Sequence, residues 1–275
     1  MQLSDLQIQR YSRQLLLKQI GLKGQQKLLS SKVLVIGAGG LGSPVLFYLA
    51  AAGIGTICIA DFDKVDLSNL QRQFVHSTDT IGLNKTSSAK SALEKLNPEI
   101  SIITFEEKVS AKNIIKLIEP YDIVVDCTDS ARTKFLINDS CVLSKKPFVH
   151  GGILGFTGQL MTYVPGQGPC YRCIFSQPDD FDSVSSCRDV GVIGAVAGVI
   201  GSMQALEVIK FLLGKGQLLV GKMYMYNALT LESNVLKLPA HNPDCPVCAS
   251  EDFRLVDEIY NEKCKFKDHI YKQKN

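Results

Sequence analysis

Apolar positions recur along this chain with two periods, and each period predicts its own elements. At the N-terminus Ser4 and Gln7 have the spacing of a capping box, so a helix starts there. Leu3 and Ile8 stand at the staple positions. Ile8, Tyr11 and Leu15 form one apolar face, with Arg10 and Arg13 turned away from it. From residue 32 the pattern changes to short, continuous apolar runs separated by amphipathic segments. The runs predict strands at 32–36, 56–61, 101–105, 122–127 and 147–151, with helices at 41–53, 84–96, 111–118 and 130–143. Such an alternation means a mostly parallel, Rossmann-like sheet covered by helices on both faces.

The pattern changes again after Gly151. Segments 155–164 and 222–238 read as antiparallel strand pairs that continue the sheet. Between them lie a polar loop, 176–190, and a long apolar helix, 191–213. Gln204, Glu207 and Lys210 interrupt the second half of that helix, which favours a buried core helix over a membrane span. No repeat or linker divides the chain. The expected organisation is one domain over 1–248 and a charged tail over 249–275.

Composition narrows the classes. With 275 residues and 45% hydrophobic content, a full core can form. A net charge of +3 is too small to call for DNA or a membrane surface as partner. Nine cysteines without an opening export signal read as reduced thiols or metal ligands, and a cytoplasmic protein is expected.

The stretch "VLVIGAGGLGS" carries the first chemistry. A strand, then Gly37-x-Gly39-x-x-Gly42, then a helix is the setting in which backbone amides and a helix N-terminus hold a phosphate. Asp61 stands 22 positions after Gly39, at the end of the next strand, where an acid holds a ribose hydroxyl. Neither feature separates a dinucleotide from a nucleoside triphosphate. The following residues favour the triphosphate. Asn69, Arg72 and Gln73 come directly after the acid, and Lys85 shares a helical stripe with Ala89, Leu93 and Leu96. A lysine turned toward the core needs an anion. Two fixed cations suit a phosphate chain under attack, where charge moves onto leaving pyrophosphate. Asp129, just past the strand "DIVVDC", is placed to hold Mg²⁺ or to cap the next helix.

Eight of the nine cysteines divide into three groups, and Cys264 in the tail has no reading. Cys170-x-x-Cys173 and Cys245-x-x-Cys248 form two knuckles that together satisfy a closed, structural Zn²⁺ site. Cys58, Cys127 and Cys141 sit in apolar stretches as packing residues. Cys187 lies in a polar loop beside Arg188 and before the long helix, a setting that lowers a thiol's pKa and makes it a candidate nucleophile. The four histidines show no pairing of the metal-ligand or triad kind.

Taken together, "RYSRQLLL", "GAGGLGS", "DFDKVDLSNLQRQ", "NKTSSAK", "DCTDS", the two Cys-x-x-Cys pairs and "GVIGAVAGVIGSMQALEVIK" resemble the ThiF/MoeB/HesA family, bacterial relatives of the ubiquitin-activating enzymes. The likeness runs from about residue 4 to 248. It implies an adenylyltransferase. ATP and Mg²⁺ bind beside a ubiquitin-fold sulfur-carrier protein ending in Gly-Gly, for thiamine or molybdopterin biosynthesis. The carrier's carboxylate attacks the α-phosphate, giving an acyl-adenylate and pyrophosphate. The resemblance places Gly37, Gly39, Gly40 and Gly42 on the nucleotide and Asp61 on the ribose. Asn69, Arg72 and Lys85 match phosphate positions and Asp129 the magnesium position; Asp63, Ser68, Gln73 and Ser130 complete the nucleotide set. It further implies a homodimer in which Arg13 reaches the partner's ATP. Cys187 matches a loop cysteine that, in the thiamine branch, links covalently to the carrier. With no appended rhodanese domain, an external sulfur donor such as a cysteine desulfurase is expected. Competing readings are a NAD-dependent oxidoreductase sharing the glycine loop and Asp61, a tRNA-modifying ATP-dependent relative, and an inactive scaffold.

Overall fold

A computed structural model describes residues 2–175 and 191–260. The apolar runs become one eight-stranded sheet. Its parallel part comprises β1 (Lys32–Ile36), β2 (Thr56–Ala60), β3 (Ser101–Phe105), β4 (Ile123–Asp126) and β5 (Phe148–Leu154). An antiparallel extension follows: β6 (Thr157–Tyr163), β7 (Lys222–Asn227) and β8 (Glu232–Lys237). The order is β3-β2-β1-β4-β5-β6-β7-β8. After β3 the chain crosses back to lay β4 beside β1, so a topological switch point opens between their carboxyl ends. Ile36 pairs with both Ala60 and Asp126, which brings the loops after β1, β2 and β4 to one edge.

The inner parallel strands are buried on both faces because helices cover both, while the edge strand β3 leaves Ile103 exposed. The helices are α1 (Asp5–Arg10), α2 (Ser12–Leu15), α3 (Gly21–Ser30), α4 (Gly42–Ala52), α5 (Lys85–Leu96), α6 (Ile114–Ile118), α7 (Ala131–Leu143), α8 (Tyr171–Ile174) and α9 (Gly194–Leu213). The two-residue alternation of β1 sorts its side chains. Val33 and Val35 join Leu46, Leu49, Ile200 and Val208 on one face; Leu34 and Ile36 join Phe135 and Ile137 on the other.

Several local outcomes differ from the sequence reading. The capping box of α1 forms, but the helix breaks at Tyr11. Tyr11 is buried with its hydroxyl on Asn97, whose Nδ2 donates at 2.9 Å. That anchor rolls the helix so that Gln7 is buried and Ile8 is exposed, correcting the Ile8 face. Helix α6 is shorter than the expected 111–118. Asn113 Oδ1 accepts the Ser110 amide and Asp257 accepts the Ala111 amide, so a turn occupies the first residues.

Among the described residues α9 is the one helix long and apolar enough to cross a membrane, with mean hydropathy 1.6. It is used as a core helix. A Cβ at Gly201 would lie 2.6 Å from the Leu41 carbonyl oxygen, so α9 packs backbone-close against the start of α4. Its Gln204 and Glu207 are buried with partners: Gln204 Nε2 donates to the Asp126 carbonyl at 2.8 Å, and Glu207 accepts from the Leu219 amide at 2.8 Å. Of the segment expected as a charged tail, Phe253, Ile259 and Tyr260 are buried in the second core. The remainder, 261–275, lies outside the described residues.

Candidate functional site

The converging loops line a cleft of about 840 Å³ at the carboxyl edge of the sheet. The glycine loop forms one wall, ending at the N-terminus of α4, where unpaired amides and the helix dipole favour an anion. Gly37 has φ +100° and runs against β4: a Cβ there would sit 2.7 Å from the Cys127 carbonyl oxygen. Gly42 has a packing role, since a Cβ would lie 2.1 Å from the Gly37 oxygen; it is buried and does not line the cleft. Gly39 and Gly40 are different. The protein leaves ordinary contact room for a Cβ at both, 3.6 Å from Gln73 Nε2 and 3.4 Å from Ala197 Cβ. Both line the cleft, so their bare backbone leaves space for a close-approaching ligand.

The acids and cations sit opposite. Asp61 accepts the Ala38 amide at 2.8 Å and the Asp63 amide at 2.9 Å. Burial pushes its carboxyl up, while nearby Lys85 opposes the shift. Lys85 is buried at the start of α5, and its Nζ lies 2.9 Å from Asp63 Oδ2. Ala89 and Leu93 of the expected stripe are buried, whereas Leu96 is exposed. The Lys85 ammonium reaches the cleft and pairs there, because its first-turn position points its stem past the end of the sheet.

Asp66 caps the short 3-10 turn Leu67–Asn69 by accepting the Ser68 amide at 2.8 Å, and Asn69 Oδ1 in turn accepts the Asp66 amide. This turn aims Ser68, Asn69 and half-buried Arg72 at the cleft; Arg72 Nη1 donates to the Ser68 carbonyl at 3.0 Å. Gln73 is buried beside Gly39, and its Oε1 has no hydrogen-bond partner among the described residues.

Two roles were open for Asp129. Ser130 is the residue that caps α7, its Oγ accepting the Thr133 amide at 3.4 Å. Asp129 is left exposed at the cleft lip. Arg13 is exposed on α2 and does not line the cleft of its own chain. Cys187 lies outside the described residues.

Composition and spacing did not reveal a charge cluster in which Lys134 lines the cleft and Asp126 and His150 are buried beneath it. Asp126 Oδ2 accepts from Lys134 Nζ at 3.0 Å and from His150 Nδ1 at 2.8 Å, while its Oδ1 accepts the Thr128 hydroxyl and amide. Lys134 also donates to the Gly151 carbonyl at 2.8 Å. Burial alone would raise the Asp126 carboxyl, but Lys134, His150 and Thr128 outweigh it and hold it well below the usual range. Burial keeps His150 below its ordinary value. The one sequence signal was a charged residue ending the apolar strand "IVVD". Asp126→Asn is expected to cost about 3 kcal/mol at neutral pH, because it strands a buried ammonium. A depressed carboxylate stabilises above its unfolded pKa of about 3.9 and loses that contribution as pH falls through its lower folded value. Urea unfolding should therefore show a constant difference between wild type and variant from neutrality to about pH 5, shrinking in stronger acid. A variant as stable as wild type at pH 7 would contradict this.

The four knuckle cysteines converge on one point, with Cys170 and Cys245 in the second core. All four sulfurs lie within 4.8 Å of one another. Neighbouring pairs are 3.7 Å (Cys170–Cys245), 3.8 Å (Cys170–Cys173) and 3.4 Å (Cys173–Cys248) apart. Tetrahedral zinc with bonds near 2.3 Å wants sulfurs about 3.8 Å apart, so the cluster fits the ion. The knuckle is anchored from below: Arg172 forks onto Asp139 at 2.6 Å through Nε and Nη2, and the Tyr260 hydroxyl donates to the same carboxylate at 2.6 Å.

Comparison with known proteins bears on the family and the fold. The chain is 46% identical over 267 residues to adenylyltransferase and sulfurtransferase MOCS3 of Aedes aegypti, covering 96% of this chain and 61% of that protein. It is 47% identical over 264 residues to the Anopheles gambiae protein of the same name, covering 95% and 59%. The chain thus spans about three fifths of the length of these relatives. A structure of E. coli MccB with ATP superposes with a TM-score of 0.76 at 29% identity, covering 87% of this chain and 74% of that one. A structure of MccB with MccA-N7isoASN gives 0.77 at 27% identity, covering 88% and 75%. The ThiF family profile matches residues 11–247. This chain belongs to the ThiF family.

Proposed function

We propose that this protein is an adenylyltransferase that activates the C-terminal Gly-Gly carboxylate of a ubiquitin-fold sulfur carrier. The observation that carries the reading is the meeting, in one cleft, of a bare glycine loop, a ribose-side acid and two held cations. The carrier carboxylate is ionised at neutral pH, so it needs no general base. It attacks the α-phosphorus of ATP; the bond to the bridging α–β oxygen breaks and pyrophosphate leaves. Lys85 and Arg72 neutralise the charge that gathers on the leaving group. The glycine-loop amides and the α4 N-terminus orient the phosphates, Asp61 holds the ribose, and Asn69 and Gln73 complete the cradle. Asp129, free of the capping duty, would hold Mg²⁺, which when bound screens the phosphate oxygens. Cys170, Cys173, Cys245 and Cys248 would hold Zn²⁺ as a structural staple. A second copy would supply Arg13, whose exposure leaves it available to a neighbouring site.

The names of the relatives, which pair adenylyl transfer with sulfur transfer, support adenylation of a sulfur carrier. The cations argue against the NAD-dependent alternative, whose pyrophosphate is held mainly by backbone amides. Incubation with ATP·Mg²⁺ and a panel of Gly-Gly carriers tests the proposal: intact mass should show one adenylyl group on one carrier, with pyrophosphate released. Binding of NAD and no carrier adenylation would overturn it. For Cys187 we expect Cys187→Ser to keep ATP–pyrophosphate exchange and to block sulfur transfer from a donor such as a cysteine desulfurase. Unchanged transfer would mean that this thiol is idle.

A further inference from the structure

His76 follows the cleft-lining Gln73 by three residues, and sequence spacing gives it no partner. In the fold it is buried between the glycine loop and α5. Its Nε2 lies 2.9 Å from the Ala38 carbonyl oxygen, and its Nδ1 lies 2.9 Å from Ser88 Oγ. A carbonyl only accepts, so Nε2 carries the proton of that bond. Ser88 is one turn along α5 from Lys85, and its Oγ also bonds Thr80 Oγ1 at 2.9 Å. Ala38 is therefore held through both of its backbone polar groups. Its amide donates to Asp61, the ribose-side acid, and its oxygen is gripped by the imidazole. The ring thus ties three parts of the cleft together: the glycine loop, the acid after β2, and the helix that presents Lys85. Burial holds the imidazole below its ordinary pKa, and Lys85 adds to this against the Ala38 bond. The ring does not line the cleft.

We propose that His76 is a positioning residue for nucleotide binding, fixing the Ala38 peptide so that the glycine-loop amides and Asp61 meet the ligand in register. A side chain with a donor at the Nε2 position can do this; an apolar one cannot. The proposal rests on the nucleotide reading of the cleft, and the test separates the two.

The probe is the ATP analogue with a methylene bridge between the α- and β-phosphorus, with Mg²⁺, titrated calorimetrically into the full chain. His76→Leu is expected to weaken binding about tenfold, the equivalent of about one lost positioning hydrogen bond. His76→Gln restores a donor close to the Nε2 position and should stay within about threefold of wild type. Thermal melting of each variant is followed in parallel, because a merely structural residue would lower melting temperature equally in both and leave affinity of the folded protein unchanged. Wild-type affinity in folded His76→Leu, or equal loss in both variants, overturns the proposal. Should His76→Leu not fold, Ser88→Ala carries the test: it frees the Nδ1 end of the ring and should weaken binding about threefold, with wild-type affinity overturning the proposal. Failure of the wild-type chain itself to bind the analogue would instead remove the nucleotide reading on which this one rests.

Discussion

Lys85→Ala and Asp129→Ala are each expected to reduce ATP–pyrophosphate exchange, measured with a Gly-Gly carrier present, by at least about a hundredfold. Lys85 is held almost out of solvent, with Asp63 as its partner at 2.9 Å. A preset ammonium in a site of low dielectric needs no reorganisation when charge moves to the leaving pyrophosphate, and that is where such a group is worth most. Alanine removes it and leaves Asp63 facing the phosphates, so repulsion adds to the loss. The fold should survive. Lys85 sits in the first turn of α5, and the helix keeps its buried Ala89 and Leu93. Asp129 is exposed and Ser130 caps α7, so its removal has little structural consequence. Near-normal exchange in either variant would show that the cleft does not perform this chemistry.

The second large effect is expected at the cysteine cluster. Metal analysis of purified protein should find one zinc per chain, and Cys170→Ser should lower zinc content and melting temperature together. The staple joins segments about 75 residues apart, and closing a loop of that length is entropically costly without a cross-link. Apparent zinc binding in small structural sites runs to about 10 kcal/mol or more, so losing a ligand should cost several kcal/mol. Cys170 and Cys245 lie in the same core as Phe135 and Tyr163, and Arg172, between the knuckle cysteines, is locked to Asp139 and Tyr260. Loosening the knuckle therefore disturbs α7, the helix that follows Asp129. A protein that melts unchanged after chelation, with no metal found before it, would exclude the staple.

What could be read in advance followed from local physics. The strand–helix alternation, the bounds of β1 and β3, the capping box at Ser4 and the end of α4 at Gly53 each depend on a few adjacent residues. The glycine loop and the paired Cys-x-x-Cys spacing were legible for the same reason. The Ile8 face failed because periodicity cannot weigh Tyr11, whose hydroxyl is claimed by Asn97 from 86 residues away. The histidines failed similarly: His76 and His150 acquire partners at Ala38, Ser88 and Asp126 only when strands and helices stack.

The sequence by itself determined the element types, the glycine loop and the four thiols, because propensity, periodicity and ligand spacing act within a few residues. Only the tertiary structure decided which polar side chains share a cleft or a buried pocket. Charges such as Asp126 and Lys134, or Asp139 and Arg172, are tolerable inside a protein only when paired, and their pairing is set by which elements the fold brings into contact.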